Sequence, residues 1–285
     1  MSTKTLVQLH PARRDDIADL TTRRPLPGPG IEQVDPFLFL NHHGPQVYPP
    51  GNRGLPFGPH PHRGFETVTF ILEGSLTHRD SAGHESVIRA GGVQWMTAGS
   101  GIVHAEISPA EFLRQGGPLE ILQLWVNLPP SLKMTRPRYV GLQREDIPAL
   151  PAADGKGTVN LIAGEWHGVR GPVESLTGVF MATVALASGG RVAFPDVRTR
   201  SVFLYGVRGR IEVAGSAAPE HTLLELSREG DSVEIRALTD AFLLFGHAEA
   251  IGAPVVAHGP FVMNSAEEIR QAIVDYQAGR FGPLE

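Results

Sequence analysis

His60-Pro61-His62 and His104-Ala105-Glu106 put two pairs of potential metal ligands in this chain, each at spacing i, i+2 and the second 42 residues after the first. On an extended strand, side chains two apart share a face. Two such strands facing each other would bring three imidazoles and one carboxylate to a single point. That donor set is an octahedral half-cage with two positions left for water, oxygen or a substrate. The chain has no cysteine, so thiolate chemistry and iron–sulfur clusters are excluded.

Glu66 is a rival ligand. It lies four residues after His62, and strand parity puts it on the face that carries His60 and His62. Spacing does not choose between it and Glu106. Its other reading is a carboxylate that orients a ligating histidine. His42 and His43 follow an apolar run and either line the pocket or end the strand. Phe57, Phe65, Phe70, Trp95 and Met96 read as barrel lining or core. His78 and His84 flank a turn and read as solvent-facing, and His258 has no ligand partner nearby in sequence.

The elements that must position these groups read as strand after strand. Apolar runs cover 36–44, 65–92, 93–107 and 119–128 in the first half. Asp80-Ser81-Ala82-Gly83 has the composition of a hairpin turn. Pro59 and Pro61 flank His60 and remove ladder donors, which predicts an edge or a barrel mouth there. Residues 129–139 hold three prolines and open a linker that runs on through 144–157. Strands resume at 159–164, 177–186, 201–215, 222–226, 231–237 and 240–247. Short strands at this spacing predict a sandwich or barrel. The echo between FILEGSLTHRD and FLYGVRGRIEVAG predicts a duplicated β-barrel. Residues 264–282 predict one helix, with Ser265 as N-cap, Glu267 and Glu268 in the first turn, an apolar stripe of Ile269, Ile273 and Tyr276, and Gly279 as C-cap.

Composition narrows the function classes. Gly 33 and Pro 24 in 285 residues imply many turns and short strands. The formal net charge of -5 offers no basic field for nucleic acid. Lys4, Lys133 and Lys156 are the only lysines, and the rest of the positive charge is arginine. No apolar run approaches a membrane span, and the N-terminus lacks a signal-peptide core. A cytoplasmic protein with no membrane partner is expected, and a monomer, since there is no coiled-coil repeat.

PHPHRGFETVTFILEGSLTHRDSAG and GGVQWMTAGSGIVHAE resemble the most specific stretches of the pirin family, in the cupin superfamily. PFLFLNHHGP and GPFVMNSAEEIRQAIVDYQAGRFG extend the resemblance over nearly the whole chain. Gly54, His60, His62 and Glu66 fit the first cupin motif. Gly92, Gly101 and His104 fit the second, where Gly99 replaces the usual proline. The resemblance implies an all-β fold of two stacked cupin-type β-barrels (double-stranded β-helices) with a C-terminal helix. It implies a metal-binding barrel over 1–135, a linker over 136–157 and a degenerate barrel with the terminal helix over 158–285. It also implies one divalent metal, usually Fe(II), held by His60, His62, His104 and Glu106, which favours Glu106 over Glu66. The same donors accept Ni, Mn, Co, Cu or Zn.

The activity implied is that of a quercetin 2,3-dioxygenase, which opens a flavonol ring with O2 and releases carbon monoxide. Glu106 would then also act catalytically, taking the flavonol's 3-hydroxyl proton. Phe57 would stack on the flavonol, and Glu66 and His43 would lie beside the metal or pocket. A second reading is a metal- or redox-responsive regulator that binds a protein partner without turnover. A third is another metal enzyme on the same fold.

Overall fold

The computed structural model describes residues 2–284. Two compact units form, and each is assembled from separate stretches of chain. One, here the histidine unit, comprises 14–23, 39–145 and the stretch from Ile251 onward; the other, the aromatic unit, comprises the residues up to Arg13, 24–38 and 146–250. The sequence suggested contiguous domains on either side of 136–157, whereas the units interleave. The final stretch, with its helix, belongs to the histidine unit.

Most of a seven-stranded sheet and a four-stranded antiparallel sheet make up the histidine unit. The larger runs in the order Arg138–Leu142, Val93–Thr97, Phe65–Glu73, Gly117–Asn127, Phe37–Tyr48, Thr22–Leu26, Arg13–Arg14. The smaller runs Phe57–His62, Ile102–Ile107, Ser75–Asp80, Glu85–Arg89. Ile71, Leu119 and Ile121 of the first sheet cluster with Leu76 and Ile88 of the second, all buried. Burying such side chains contributes roughly 1.5–3 kcal/mol each, which fixes the two sheets face to face.

The aromatic unit repeats this plan. Its larger sheet runs Leu6–Pro11, Thr222–Leu226, Ser201–Arg208, Ala241–Ala248, Phe180–Leu186, Gly157–Ala163, Ala149–Pro151. Its smaller sheet runs Arg191–Pro195, Ser232–Ala237, Ile211–Val213, Ser216–Ala218. Inward-facing Val192, Phe194, Val233 and Ile235 pack against Phe180, Leu204, Leu224 and Phe245 in one core.

The expectation of closed barrels is corrected. Each sheet is an open ladder with two free ends, and no strand closes it on itself. Proline contributes to this. Phe57–His62 is an edge strand whose Pro59 and Pro61 have no N–H for a further neighbour, and Pro151 sits in the edge strand Ala149–Pro151.

The C-terminal helix spans Ala266–Gln277. The Ser265 hydroxyl accepts the Glu268 amide, and the Glu268 carboxylate accepts the Asn264 amide, which together satisfy the helix start. Ala278 is the C-cap, one residue before the expected Gly279, which follows it at φ +72. The buried face is Ile269, Ala272 and Asp275, while Tyr276 stays exposed. The expected stripe is thus rotated, because Arg63 draws Asp275 inward through a 2.8 Å ion pair.

Candidate metal centre

Strand register brings three of the four paired ligands together, while Glu106 falls outside the group. Phe57–His62 and Ile102–Ile107 run antiparallel, with His60 opposite His104 and His62 opposite Ile102. His60, His62 and His104 therefore share one face, and their ring centroids lie 4.4–4.9 Å apart. One ring nitrogen from each lies within 4.8 Å of the others. Among the described residues this is the only group of three or more metal-ligating side chains so drawn together.

Hydrogen bonds fix two of the three tautomers. A carbonyl can only accept, so a ring nitrogen facing one must carry hydrogen. His60 Nδ1 donates to the Gly58 carbonyl at 2.7 Å, and His62 Nδ1 to the Pro260 carbonyl at 3.2 Å. Nε2 of each ring is left with its lone pair. His104 is fully buried, and neither of its nitrogens has a hydrogen-bond partner. A buried orphan of that kind costs on the order of 1–3 kcal/mol unless something satisfies it. A metal ion would satisfy the nitrogen that carries the lone pair, so the residues present fit the group.

Electrostatics points the same way. Burial, reinforced by the neighbouring His60, pushes the His62 pKa down to about 3. Burial and the two other histidines hold His104 well below the ordinary value. Both rings are neutral near pH 7, the state a metal requires of its imidazole ligands.

Glu106 is buried on the strand that carries His104. The register slips between them, so Glu106 faces Phe57 where regular pairing would give Gly58. Such a bulge re-aims the side chain beyond it. The Glu106 carboxylate accepts the Thr69 hydroxyl at 2.8 Å and the side-chain amides of Gln94 and Gln123. Both oxygens are held, and an amide donor fixes each.

Glu66 lies elsewhere. The chain turns at Gly64, at φ +90, and enters the larger sheet, so the parity that linked Glu66 to His62 does not survive. A Cβ at Gly64 would collide with the Val262 carbonyl. The buried Glu66 accepts the Thr97 hydroxyl at 2.6 Å, and burial pushes its carboxyl pKa up. It is outside the three-histidine group.

Phe57 is half-buried, with its ring 5.2 Å from that of His43. His43 is fully buried, and its Nδ1 bonds the Thr22 hydroxyl at 2.8 Å. His42 is buried beside Glu120, its Nε2 2.8 Å from the carboxylate. His78 is buried too, contrary to its solvent-facing reading. It stacks on Tyr139 at 4.0 Å, bonds Asp80 at 3.0 Å and lies 5.5 Å from the His104 ring.

Several neighbours of the site are not among the residues picked out from sequence. Gln94, Gln123 and Thr69 hold Glu106, and the Pro260 carbonyl holds His62. Trp125 stacks on Phe39 at 4.6 Å and stands 5.4 Å from His62. Gln123 carried a signal, as a polar residue inside the apolar run LEILQLWVNL. The Pro260 carbonyl carried none, being backbone from 198 residues away. A separate cleft of about 840 Å3 is lined by aromatic-unit residues of both charge signs, including Arg191, Arg236, Glu212 and Glu234. It includes none of the residues named above as ligands.

A β-sandwich whose paired strands converge three histidines in one buried spot defines a metal-binding protein of cupin type. The family profiles described as Pirin and Pirin C-terminal cupin domain match residues 19–126 and 181–282. The chain belongs to the pirin family. It is 40% identical over 268 residues to a pirin-like protein of Caulobacter vibrioides, covering 93% of this chain and 94% of that one. It is 38% identical to human pirin, covering 91% and 87%. The crystal structure of a quercetin 2,3-dioxygenase from Acinetobacter baumannii matches it with a TM-score of 0.92 at 31% identity, covering 100% of both chains.

Proposed function

We propose that this protein is a metal-dependent dioxygenase that acts on flavonol-type aromatic substrates with O2. The observation that carries the reading is the buried three-histidine group with His104 orphaned at both nitrogens. Its likeness over the full chain to a quercetin 2,3-dioxygenase supports the substrate class. His60, His62 and His104 hold the metal, with Glu106 as fourth ligand. Fe(II) is the assignment, since imidazole and carboxylate together suit non-haem iron. When bound, the metal supplies Lewis acidity and redox capacity.

The remaining work falls to this chain's own residues. Glu106 takes the proton of the substrate's 3-hydroxyl, at the carboxylate that Gln94 and Gln123 orient. Phe57, Phe39 and Trp125 provide aromatic surface beside the site and limit water. Among the described residues no helix is long and apolar enough to cross a membrane. A cytoplasmic monomer turning over a small aromatic substrate is the setting we infer.

The test is anaerobic loading with iron(II), followed by oxygen uptake with quercetin. Wild type is compared with His62→Ala and Glu106→Ala, and metal content is measured in each. Turnover in wild type and its loss in both variants supports the reading. A wild type that retains metal but consumes no oxygen with quercetin overturns it, and moves the protein towards a metal-responsive partner-binding role.

A further inference from the structure

We propose that the C-terminal hairpin is a working part of the metal centre: its Pro260 carbonyl selects the tautomer of His62 that leaves Nε2 free to bind metal. The inference rests on metal binding by the three histidines, not on the oxygenase reaction.

The hairpin joins Val256–His258 to Phe261–Met263 through Gly259 and Pro260. Gly259 has φ +53, and proline fixes a negative φ behind it. That pairing makes a type II′ turn, which has glycine at its first central position. The turn aims the Pro260 carbonyl at His62 Nδ1, 3.2 Å away. Among the described residues His62 makes no other hydrogen bond, so this contact alone discriminates between its tautomers. His60 is set differently, by the Gly58 carbonyl of its own strand.

The hairpin is anchored at the residues that follow His62. Lys133 is 1% exposed, and its ammonium donates to the carbonyls of Gly64 and Val262 and to the Asn127 side chain at 2.7–2.9 Å. The Val262 amide donates to the Arg63 carbonyl at 3.0 Å. Arg63 in turn donates to the Ser100 carbonyl and to Asp275 of the C-terminal helix, each at 2.8 Å, and lies 4.6 Å from the Phe281 ring. Residues 260–281 thus brace the strand end that carries His62. A buried lysine with three oxygen acceptors and no carboxylate contact is costly in this chain's interior. Its placement makes sense as a rivet between the Gly64 turn and the hairpin.

Gly259 gives a clean handle. A Cβ there would meet nothing within 4 Å, so a substitution acts through backbone conformation and not through crowding. Asparagine tolerates positive φ, whereas valine strongly resists it. The experiment compares wild type, Gly259→Asn and Gly259→Val. Imidazole nitrogen spectra of the metal-free proteins report the His62 tautomer. Competition with a chelator reports affinity for cobalt(II), whose visible bands report the ligand field.

Wild type and Gly259→Asn are expected to show a single Nδ1–H tautomer and equal affinity. Gly259→Val is expected to show mixed tautomers and about tenfold weaker cobalt(II) binding, the scale of losing a group that orients a ligand. Unchanged tautomer and affinity in Gly259→Val overturn the proposal, as does an equal loss in Gly259→Asn. If Gly259→Val does not fold, Asp275→Asn loosens the same segment from the helix side and is held to the same outcomes. A wild type that binds no cobalt(II) sinks the metal reading itself, while the metal-free tautomer measurement still tests the hairpin's grip on His62.

Discussion

The two units share one frame and fill it with opposite chemistry. In each, a seven-stranded sheet faces a four-stranded one, with equivalent strand orders. Where the histidine unit puts His60 and His62 on the edge strand of the smaller sheet, the aromatic unit puts Val192 and Phe194. Where the neighbouring strand carries His104 and Glu106, its counterpart carries Val233 and Ile235. The aromatic interior closes on itself: Phe194 stacks on Phe245 at 3.8 Å and Phe180 on His247 at 4.7 Å. The histidine interior leaves His104 without a partner. An apolar interior gains from close packing, whereas a polar one must be satisfied group by group. The frame supplies stability in both units, and only the choice of inward residues makes one of them chemical.

The sharpest break of this comparison is His104→Ala. It should leave no stoichiometric metal in the purified protein, read by elemental analysis, while His247→Ala retains a full equivalent. Equal metal loss in the two variants would erase the distinction between the units. Next in size, Phe245→Ala should cost about 3–5 kcal/mol, the usual range for truncating a buried phenylalanine. Denaturant unfolding would measure it, and cobalt(II) affinity should stay within about twofold of wild type, since the aromatic unit holds no ligand.

A smaller effect is expected from Gln123→Leu. Glu106 would lose the amide on Oε2, and metal affinity should fall about tenfold, while Gln123→Glu would add a like charge and do worse. Chelator competition checks both. The last effect is read as a slope against pH. His247 is pushed down to about 3 by burial, helped by Arg200 beside it. The unfolded chain protonates this ring below about pH 6.5, but the folded one does not until about pH 3. Stability from this group is therefore complete above pH 6.5 and is lost as pH falls through that window, by at most about 1.4 kcal/mol per pH unit. His247→Gln keeps an acceptor for Arg200 and should flatten the slope of stability against pH between 4 and 6.

The convergence of His60, His62 and His104 was legible because a two-residue spacing on a strand is the same statement in sequence and in space. The duplicated frame was legible because its strand spacing repeats. Glu66 shows where this reasoning stops: parity holds only within one strand, and the turn at Gly64 sends the chain into a different sheet. His78 was misread because proximity to a hairpin suggests solvent, while its strand lies inside the smaller sheet between two neighbours. Open sheets and closed barrels share one alternation of strands, and only ladder connectivity separates them. The interleaving of units and the Pro260 contact join residues far apart in the chain, and such contacts leave no periodic trace.

The reach from His62 to Pro260 also sets an order of events during biosynthesis. The strand carrying His62 emerges from the ribosome 198 residues before its carbonyl partner, and much of the aromatic unit is made in between. At about 5–20 residues per second, the delay is roughly 10–40 s. During that time the nascent chain already displays three histidines without the contact that orders one of them. Completion of the three-histidine geometry therefore waits until the hairpin of Val256–His258 and Phe261–Met263 has been made.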